Sequence, residues 1–93
     1  MSRRTKIIAT IGPASAKPAM LKKMVAEGMD VARFNMSHGT YAAHRQMIKD
    51  VRAAAKIGKR PVALLADLQG PKIRLGVLPE KGVAFKKGEV LSF

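Results

Sequence analysis

The spacing of apolar residues changes several times along the chain. Short runs of apolar and β-branched residues, typical of buried strands, occupy residues 6–11 and 62–66, and the alternating stretch 31–35 also predicts a short strand. Between them, apolar residues recur three and four positions apart, which predicts amphipathic helices over 18–27 and 40–57. The predicted order is β-α-β-α-β, and apolar strands joined by helices indicate a parallel sheet covered by helices, with right-handed crossovers.

Residues at the ends of these segments support the helix boundaries. Pro18 suits the first position of a helix, where its missing N–H costs nothing, and Gly28 suits the position just after the helix. Thr40 is placed to cap the second helix, and Gly58 is expected to end it.

The character of the chain changes after the third predicted strand. Residues 71–93 alternate in polarity and are broken into short pieces by Pro79, Gly82 and Gly88. This pattern predicts the start of an antiparallel β unit that is distinct from the α/β part, residues 1–70. Three parallel strands leave both sheet edges open, so we expect the chain to be the first part of something larger.

The composition argues against several classes of protein. The chain has 93 residues, enough for one small domain, and it contains no cysteine, which excludes disulfides and thiolate metal sites. No apolar run approaches ~18 residues, so no membrane span is predicted. The basic start lacks the apolar block of a signal peptide, and we expect a cytoplasmic protein.

The net charge of +12, from 18 Lys and Arg against 6 Asp and Glu, indicates anionic partners. A nucleic-acid or polyphosphate binding module is one reading. Against it, no run of five basic residues occurs, aromatic residues for base stacking are scarce, and many basic residues lie on the polar faces of the predicted helices: Lys22, Lys23, Arg45, Lys49, Arg52 and Lys56. A nucleic-acid module is therefore not favoured. A membrane surface and phosphorylated small molecules are the other anionic partners that this charge allows, and part of the charge is explained by solubility alone.

Polar residues cluster where the second predicted strand ends. The stretch VARFNMSHG places Arg33, Asn35, Ser37 and His38 within six positions, just before a glycine turn and a helix. In α/β proteins, sites form at the carboxyl ends of parallel strands, although a solvated loop has the same composition. Arg33 is the strongest candidate for an anion, because guanidinium offers a rigid fork to phosphate or carboxylate.

Asp67 follows the third predicted strand, where an unpaired carboxylate is costly. Two alternatives remain open from the residues alone: a salt bridge to a nearby basic group, which is favoured, or a monovalent cation held by carboxylate, Asn and Ser oxygens. The standard glycine-rich nucleotide fingerprints are absent from the sequence, as are a carboxylate pair for a divalent metal and a nucleophile–base pair. His44, within the second helix, is interpreted as structural or exposed.

Three stretches together resemble the amino-terminal part of the pyruvate kinase family: TKIIATIGPAS (5–15), GMDVARFNMSHG (28–39) and ADLQGPKIR (66–74). The resemblance implies a (β/α)8 TIM barrel with a small β domain inserted after the third strand. Such a barrel needs ~250 residues, so this chain would hold only its start. The family transfers the phosphoryl group of phosphoenolpyruvate to ADP in glycolysis, giving pyruvate and ATP, with Mg²⁺ and K⁺ as cofactors.

The resemblance also implies roles for individual residues. Arg33 resembles the arginine that contacts the substrate and its phosphoryl group. The residues that resemble the potassium ligands are Asn35, Ser37, Asp67 and, through its backbone carbonyl, Leu68. Those that resemble nucleotide contacts are Asn35, Met36, Ser37, His38 and Arg74.

The sequence departs from the commonest family pattern at Met36, where Phe is usual, and at Leu68, Gln69 and Lys72. The last three resemble the potassium-independent branch, so we expect the Lys72 ammonium to replace the ion. The family's catalytic lysine and acidic Mg²⁺ ligands lie beyond residue 93, so the chain alone should be inactive. The full-length family implies a homotetramer, and self-association through open sheet edges is expected here, with no nucleic-acid or membrane partner.

Overall fold

The computed structural model describes residues 3–92. In chain order the elements are β1 (Ile8–Thr10), α1 (Pro18–Glu27), β2 (Val31–Asn35), α2 (Tyr41–Gly58) and β3 (Ala63–Asp67). The strands form a parallel sheet in the order β1-β2-β3. The predicted order of elements and the parallel sheet are both confirmed.

Both helices cover the same face of the sheet. Ala32 and Phe34 of β2 are buried in one apolar cluster with Leu21 and Val25 of α1 and with residues of α2. Successive residues of a strand face opposite sides of the sheet. The neighbours of Ala32 and Phe34 along β2 therefore lie on the face away from the helices. On that face Ile8 and Leu65 are exposed, so the helices described here cover one side of the sheet and not both.

The ends of α1 and α2 follow the predicted signals with one exception. The Thr40 hydroxyl accepts from the Ala43 N–H at 3.2 Å, and Gly28 takes the left-handed conformation after α1 with φ of 118°. At the end of α2, however, Gly58 is still helical and Lys59 is the left-handed residue, with φ of 53°. A Cβ built on Gly58 would lie 2.8 Å from Cγ1 of Val25, so the glycine allows α1 and α2 to approach closely.

β1 is shorter than the predicted strand, but the residues on either side of it are hydrogen-bonded as well. The Ile7 N–H donates to the Asp30 carboxylate at 2.8 Å. On the other side, the Ile11 N–H donates to the Arg33 carbonyl at 2.9 Å. The run 6–11 therefore remains attached to β2 over more of its length than the paired residues of β1 alone.

Asp30 organises the amino end of the sheet. Besides accepting from Ile7, its carboxylate pairs with Arg3 at 3.0 Å and with Arg60 at 3.5 Å. Arg60 also donates to the Val25 carbonyl at 2.9 Å, which ties the segment before β3 to α1. The side chain of Asp30 is 15% exposed, so this carboxylate is well sheltered and well compensated.

Residues 71–92 contain turns but no strand in the structure, and their large apolar side chains are exposed. The antiparallel pairing predicted for this segment is therefore not observed among the described residues, because a strand is defined by a partner that this segment does not find here. Its assignment to an inserted β domain stays a prediction. No helix within residues 3–92 is both long and apolar enough to cross a membrane.

Replacing Gly58 by Ala is expected to destabilise the chain by about 1–3 kcal/mol, because the added methyl overlaps the fully buried Val25. The free energy of unfolding in urea, followed by circular dichroism, measures the effect. Gly76→Ala is the matched control, since a Cβ there meets no described atom within 4 Å. Equal stabilities of the two variants would contradict the close helix contact.

The pKa of Asp30 is held below its ordinary value of 3.8, first by the Ile7 N–H and then by Arg3. A lowered pKa in the folded state means that this carboxylate stabilises the fold above about pH 4, and that the contribution is lost as the pH falls through the folded-state pKa. Asp30→Asn should therefore reduce stability at neutral pH and flatten its decline in acid.

Urea unfolding from neutral pH to about pH 2.5 tests this expectation. The control is Asp50→Asn, because Asp50 accepts only an exposed hydrogen bond from Gln46 on α2. If Asp30→Asn and wild type lost stability in parallel as the pH falls, the coupling of Asp30 protonation to folding would be refuted.

Candidate functional site

Arg33 connects the strands at the carboxyl end of the sheet. Its Nε and Nη2 both donate to Oδ2 of Asp67 on β3, at 3.0 and 2.5 Å, and its Nη1 donates to Oγ1 of Thr10 on β1, at 2.9 Å. The register explains this reach, since Thr10 lies directly beside Arg33 and Asp67 lies beside Asn35. One side chain of β2 therefore bridges to both neighbouring strands.

The structure contains an ion pair between Arg33 and Asp67. Of the two alternatives for this carboxylate, a salt bridge or a bound monovalent cation, this is the one that the sequence favoured. It is open to solvent, with side chains 31% and 48% exposed, so its contribution to stability is modest, about 0–1 kcal/mol. Its main effect is on geometry, because three N–H groups of the guanidinium are fixed by partners. The remaining two have no partner among residues 3–92, and they are available to an anion.

The loop between β2 and α2 is fixed by hydrogen bonds of its backbone N–H groups to Asn35 and to the end of β3. The Asn35 side-chain oxygen accepts from the Ser37 N–H at 3.1 Å, and the Asn35 carbonyl accepts from the His38 N–H at 3.3 Å. The Met36 N–H donates to the Asp67 carbonyl at 3.0 Å, which joins the loop to the end of β3. Gly39 then turns the chain into α2 with a φ of 78°.

A cavity of about 370 Å³ opens at this end of the sheet. Its lining contains nearly all the residues that sequence reasoning singled out, together with Gln69 and Gly70: Arg33, Asn35, Ser37, His38, Asp67, Leu68, Lys72 and Arg74. Met36 is the exception, because its side chain packs against the apolar core instead. The structure thus brings these predicted residues together, while their roles remain predictions.

The charge of the cavity favours an anion. Its lining includes Arg33, Lys72 and Arg74 against a single carboxylate, Asp67, which is already paired. Cationic groups in a concave site raise the local concentration of negative ligands such as phosphates. A second cavity of about 850 Å³, with a mainly apolar lining, lies between the segment after β1 and α2, and Asn35 and His38 line both cavities.

Residues 3–92 do not supply a ligand set for a divalent metal, since no three His, Asp or Glu side chains of this part come together. The oxygens predicted for K⁺ do line one cavity and are of the type this ion prefers. However, Asn35 and Asp67 already accept hydrogen bonds there, and Lys72 lines the same space. The donor chemistry is therefore compatible with K⁺, whereas the surrounding charge opposes another cation.

Sequence reasoning missed two contributors to this region. Thr10 accepts a hydrogen bond from Arg33. It could have been found only by knowing that the two residues are paired in the parallel register. His44, interpreted as structural or exposed, is buried and contacts the loop through the His38 carbonyl. Neither role is visible in a motif, because both depend on which residues the fold makes neighbours.

Comparison with known proteins adds an independent observation. The family model for the pyruvate kinase barrel domain matches residues 2–93. The chain is 50% identical over 91 residues to the pyruvate kinase of Corynebacterium glutamicum, covering 98% of this chain and 19% of that protein. It is 49% identical over 88 residues to that of Thermococcus litoralis, covering 95% and 18%.

The pyruvate kinase of Mycobacterium tuberculosis is 45% identical over 91 residues, again 98% of this chain and 19% of the relative. The chain thus spans about a fifth of the length of the curated relatives it matches. With a family match over nearly the whole chain and relatives at 45–50% identity, the chain belongs to the pyruvate kinase family.

Proposed function

We propose that this chain is the amino-terminal part of a phosphotransferase, a pyruvate kinase that moves the phosphoryl group of phosphoenolpyruvate to ADP and so gives pyruvate and ATP. The observation that carries the proposal is the cavity in which Arg33, Lys72 and Arg74 meet at the carboxyl end of the sheet. Family membership supports this reaction, and the positive charge of the cavity suits a phosphorylated ligand.

Phosphoryl transfer depends mainly on positioning and on compensating the charge of the group in flight. Arg33 is suited to this task because Asp67 and Thr10 hold its guanidinium in one orientation before a ligand arrives. Pre-orientation removes the cost of ordering a long side chain on binding. Arg33 is therefore assigned to the phosphoryl group of phosphoenolpyruvate.

The nucleotide is assigned to the neighbouring loop. Asn35, Ser37 and His38 line the cationic cavity together with Arg74, and Asn35 and His38 also line the apolar cavity beside it. A nucleoside diphosphate has the same division into a charged and a less polar part. Met36, predicted as a nucleotide contact, has its side chain in the core, so its contribution would come from the backbone.

Lys72 is assigned the role of a built-in monovalent cation. The predicted potassium ligands Asn35, Ser37, Asp67 and Leu68 line the same cavity as the lysine. With the ammonium of Lys72 on the lining of this cavity, a bound K⁺ would meet repulsion from a like charge. The proposed enzyme therefore works without potassium.

The chain alone is expected to be inactive, because the catalytic lysine and the Mg²⁺ ligands are assigned to later parts of the protein. The larger protein is proposed to form a TIM barrel, with 71–93 as the start of an inserted β domain, and to be a cytoplasmic homotetramer. Exposed Ile8 and Leu65 on the uncovered sheet face support further packing there, as do the open edges of β1 and β3.

A chimera tests the proposed activity: residues 1–93 replace the matching segment of Corynebacterium glutamicum pyruvate kinase. Pyruvate formation from phosphoenolpyruvate and ADP should be retained, and Arg33→Ala should lower kcat/KM by about 10²-fold or more, because one preorganised charge is lost. Arg45→Ala, at an exposed position on α2, is the matched control.

An inactive but folded chimera would count against the proposal, as would full activity of its Arg33→Ala variant. The alternative, a nucleic-acid binding module, would then gain support if this chain bound duplex DNA with an affinity that falls steeply with salt.

Potassium dependence is tested in the same chimera, because all the predicted ligands lie within residues 35–68. In sodium-free buffer the unmodified chimera should gain little activity from KCl. Lys72→Glu removes the built-in charge and should make activity depend on K⁺, with a stimulation of about tenfold or more. A many-fold stimulation of the unmodified chimera by K⁺ would refute the assignment of Lys72.

A further inference from the structure

His44 stands out among the buried side chains. Only 7% of the residue is exposed, and within residues 3–92 the other buried residues that form the core are apolar. It lies in the first turn and a half of α2, where its backbone N–H donates to the Thr40 carbonyl at 3.0 Å. Its imidazole reaches back to the loop that precedes the helix. A buried polar ring has a cost, so its contacts require an explanation.

The first contact fixes the tautomer of the ring. Nε2 of His44 lies 2.6 Å from the backbone carbonyl oxygen of His38. A carbonyl oxygen can only accept, so the hydrogen of this bond must be on Nε2. Nδ1 is buried and has no partner among the described residues.

The surroundings of Nδ1 offer no acceptor. A proton on Nδ1 would have no hydrogen-bond partner among the described residues, whereas a proton on Nε2 has the His38 carbonyl. The geometry therefore assigns the donor of this ring to Nε2.

The hydrogen bond from His44 to the His38 carbonyl fixes the orientation of the peptide group between His38 and Gly39. The described chain has no cis peptide, so a His38 carbonyl directed at His44 turns the following N–H, that of Gly39, to the opposite side. Gly39 also gives the ring its space, since a Cβ there would lie 3.3 Å from Nε2. The ring and the glycine therefore form one close contact under the loop.

The loop is then held at both ends. Met36 attaches it to β3 through the Asp67 carbonyl, and His44 attaches it to α2 through the His38 carbonyl. Ser37 lies between these two points and His38 carries the second one, and both residues line the cationic cavity. Arg33 is oriented separately, by Asp67 and Thr10, and does not depend on His44.

We propose that His44 is a positioning residue for the nucleotide loop. Its ring donates from Nε2 to the His38 carbonyl and keeps Ser37 and His38 at the rim of the cavity, so that a nucleoside diphosphate meets a preformed loop. The nucleotide part of this inference rests on the proposed function. The hydrogen bond itself does not.

The tautomer is tested in this chain by ¹⁵N NMR of the histidine rings at neutral pH. His44 should show a protonated, pyrrole-type Nε2. A bare, pyridine-type Nε2 with the proton on Nδ1 would overturn the assignment of the donor.

The consequence is tested in the chimera with three variants of one position. His44→Gln can place an amide N–H near the position of Nε2, His44→Asn places one near Nδ1 and too short to reach, and His44→Leu has no donor. We expect Asn and Leu to raise the KM for ADP by about three- to tenfold, the size expected for one lost hydrogen bond, and Gln to restore much of it. The KM for phosphoenolpyruvate should change by less than about twofold, because Arg33 is held independently.

If His44 only stabilised the fold, its variants would give less folded protein and similar changes in activity with ADP and with phosphoenolpyruvate. His44→Gln would then have no advantage over His44→Asn. That pattern, or unchanged kinetics in all three variants, would overturn the inference. An inactive chimera with unmodified residues 1–93 would count against the proposed function and with it the nucleotide role, while the ring NMR would still decide whether the His44–His38 bond exists.

Discussion

The guanidinium of Arg33 is the interaction on which the carboxyl end of this fold depends. It joins Asp67 of β3 and Thr10 of β1 from the strand between them, so the rim of the sheet and the orientation of the charge are fixed by the same bonds. This arrangement depends strictly on register. A slip of one residue in β3 would move Asp67 to the helix-covered face and leave the arginine without its partner.

The two ends of the sheet use the same chemistry for different purposes. At the amino end, Asp30 is sheltered and accepts from a backbone N–H and two arginines, an arrangement that holds β1, β2 and the segment before β3 together. At the carboxyl end, Asp67 is about half exposed and cationic groups outnumber it. Compensated charge stabilises the fold, whereas uncompensated positive charge beside a cavity attracts ligands.

Much of the fold could be predicted from the sequence, because strand and helix patterns and helix-end residues depend on neighbouring positions in the chain. Periodicity separated strands from helices, and Pro18, Gly28 and Thr40 marked helix ends that the structure confirms. Two differences from the prediction are informative for the same reason. Gly58 was expected to end α2 and is its last residue, but Lys59 takes the left-handed conformation, and the glycine lets Val25 approach. Short strands were expected after residue 70, yet alternation in sequence yields a strand only where a partner strand lies beside it.

By itself, then, the sequence determined the order of elements, the parallel sheet, the excess of positive charge and the kinds of side chain that follow each strand, since these depend on residue type and spacing. Only the tertiary structure decided that Thr10 holds Arg33, that Met36 turns into the core, and that a buried His44 supports the loop from below. These are contacts between residues brought together by register and helix packing, and no local pattern records which residues will meet across that distance.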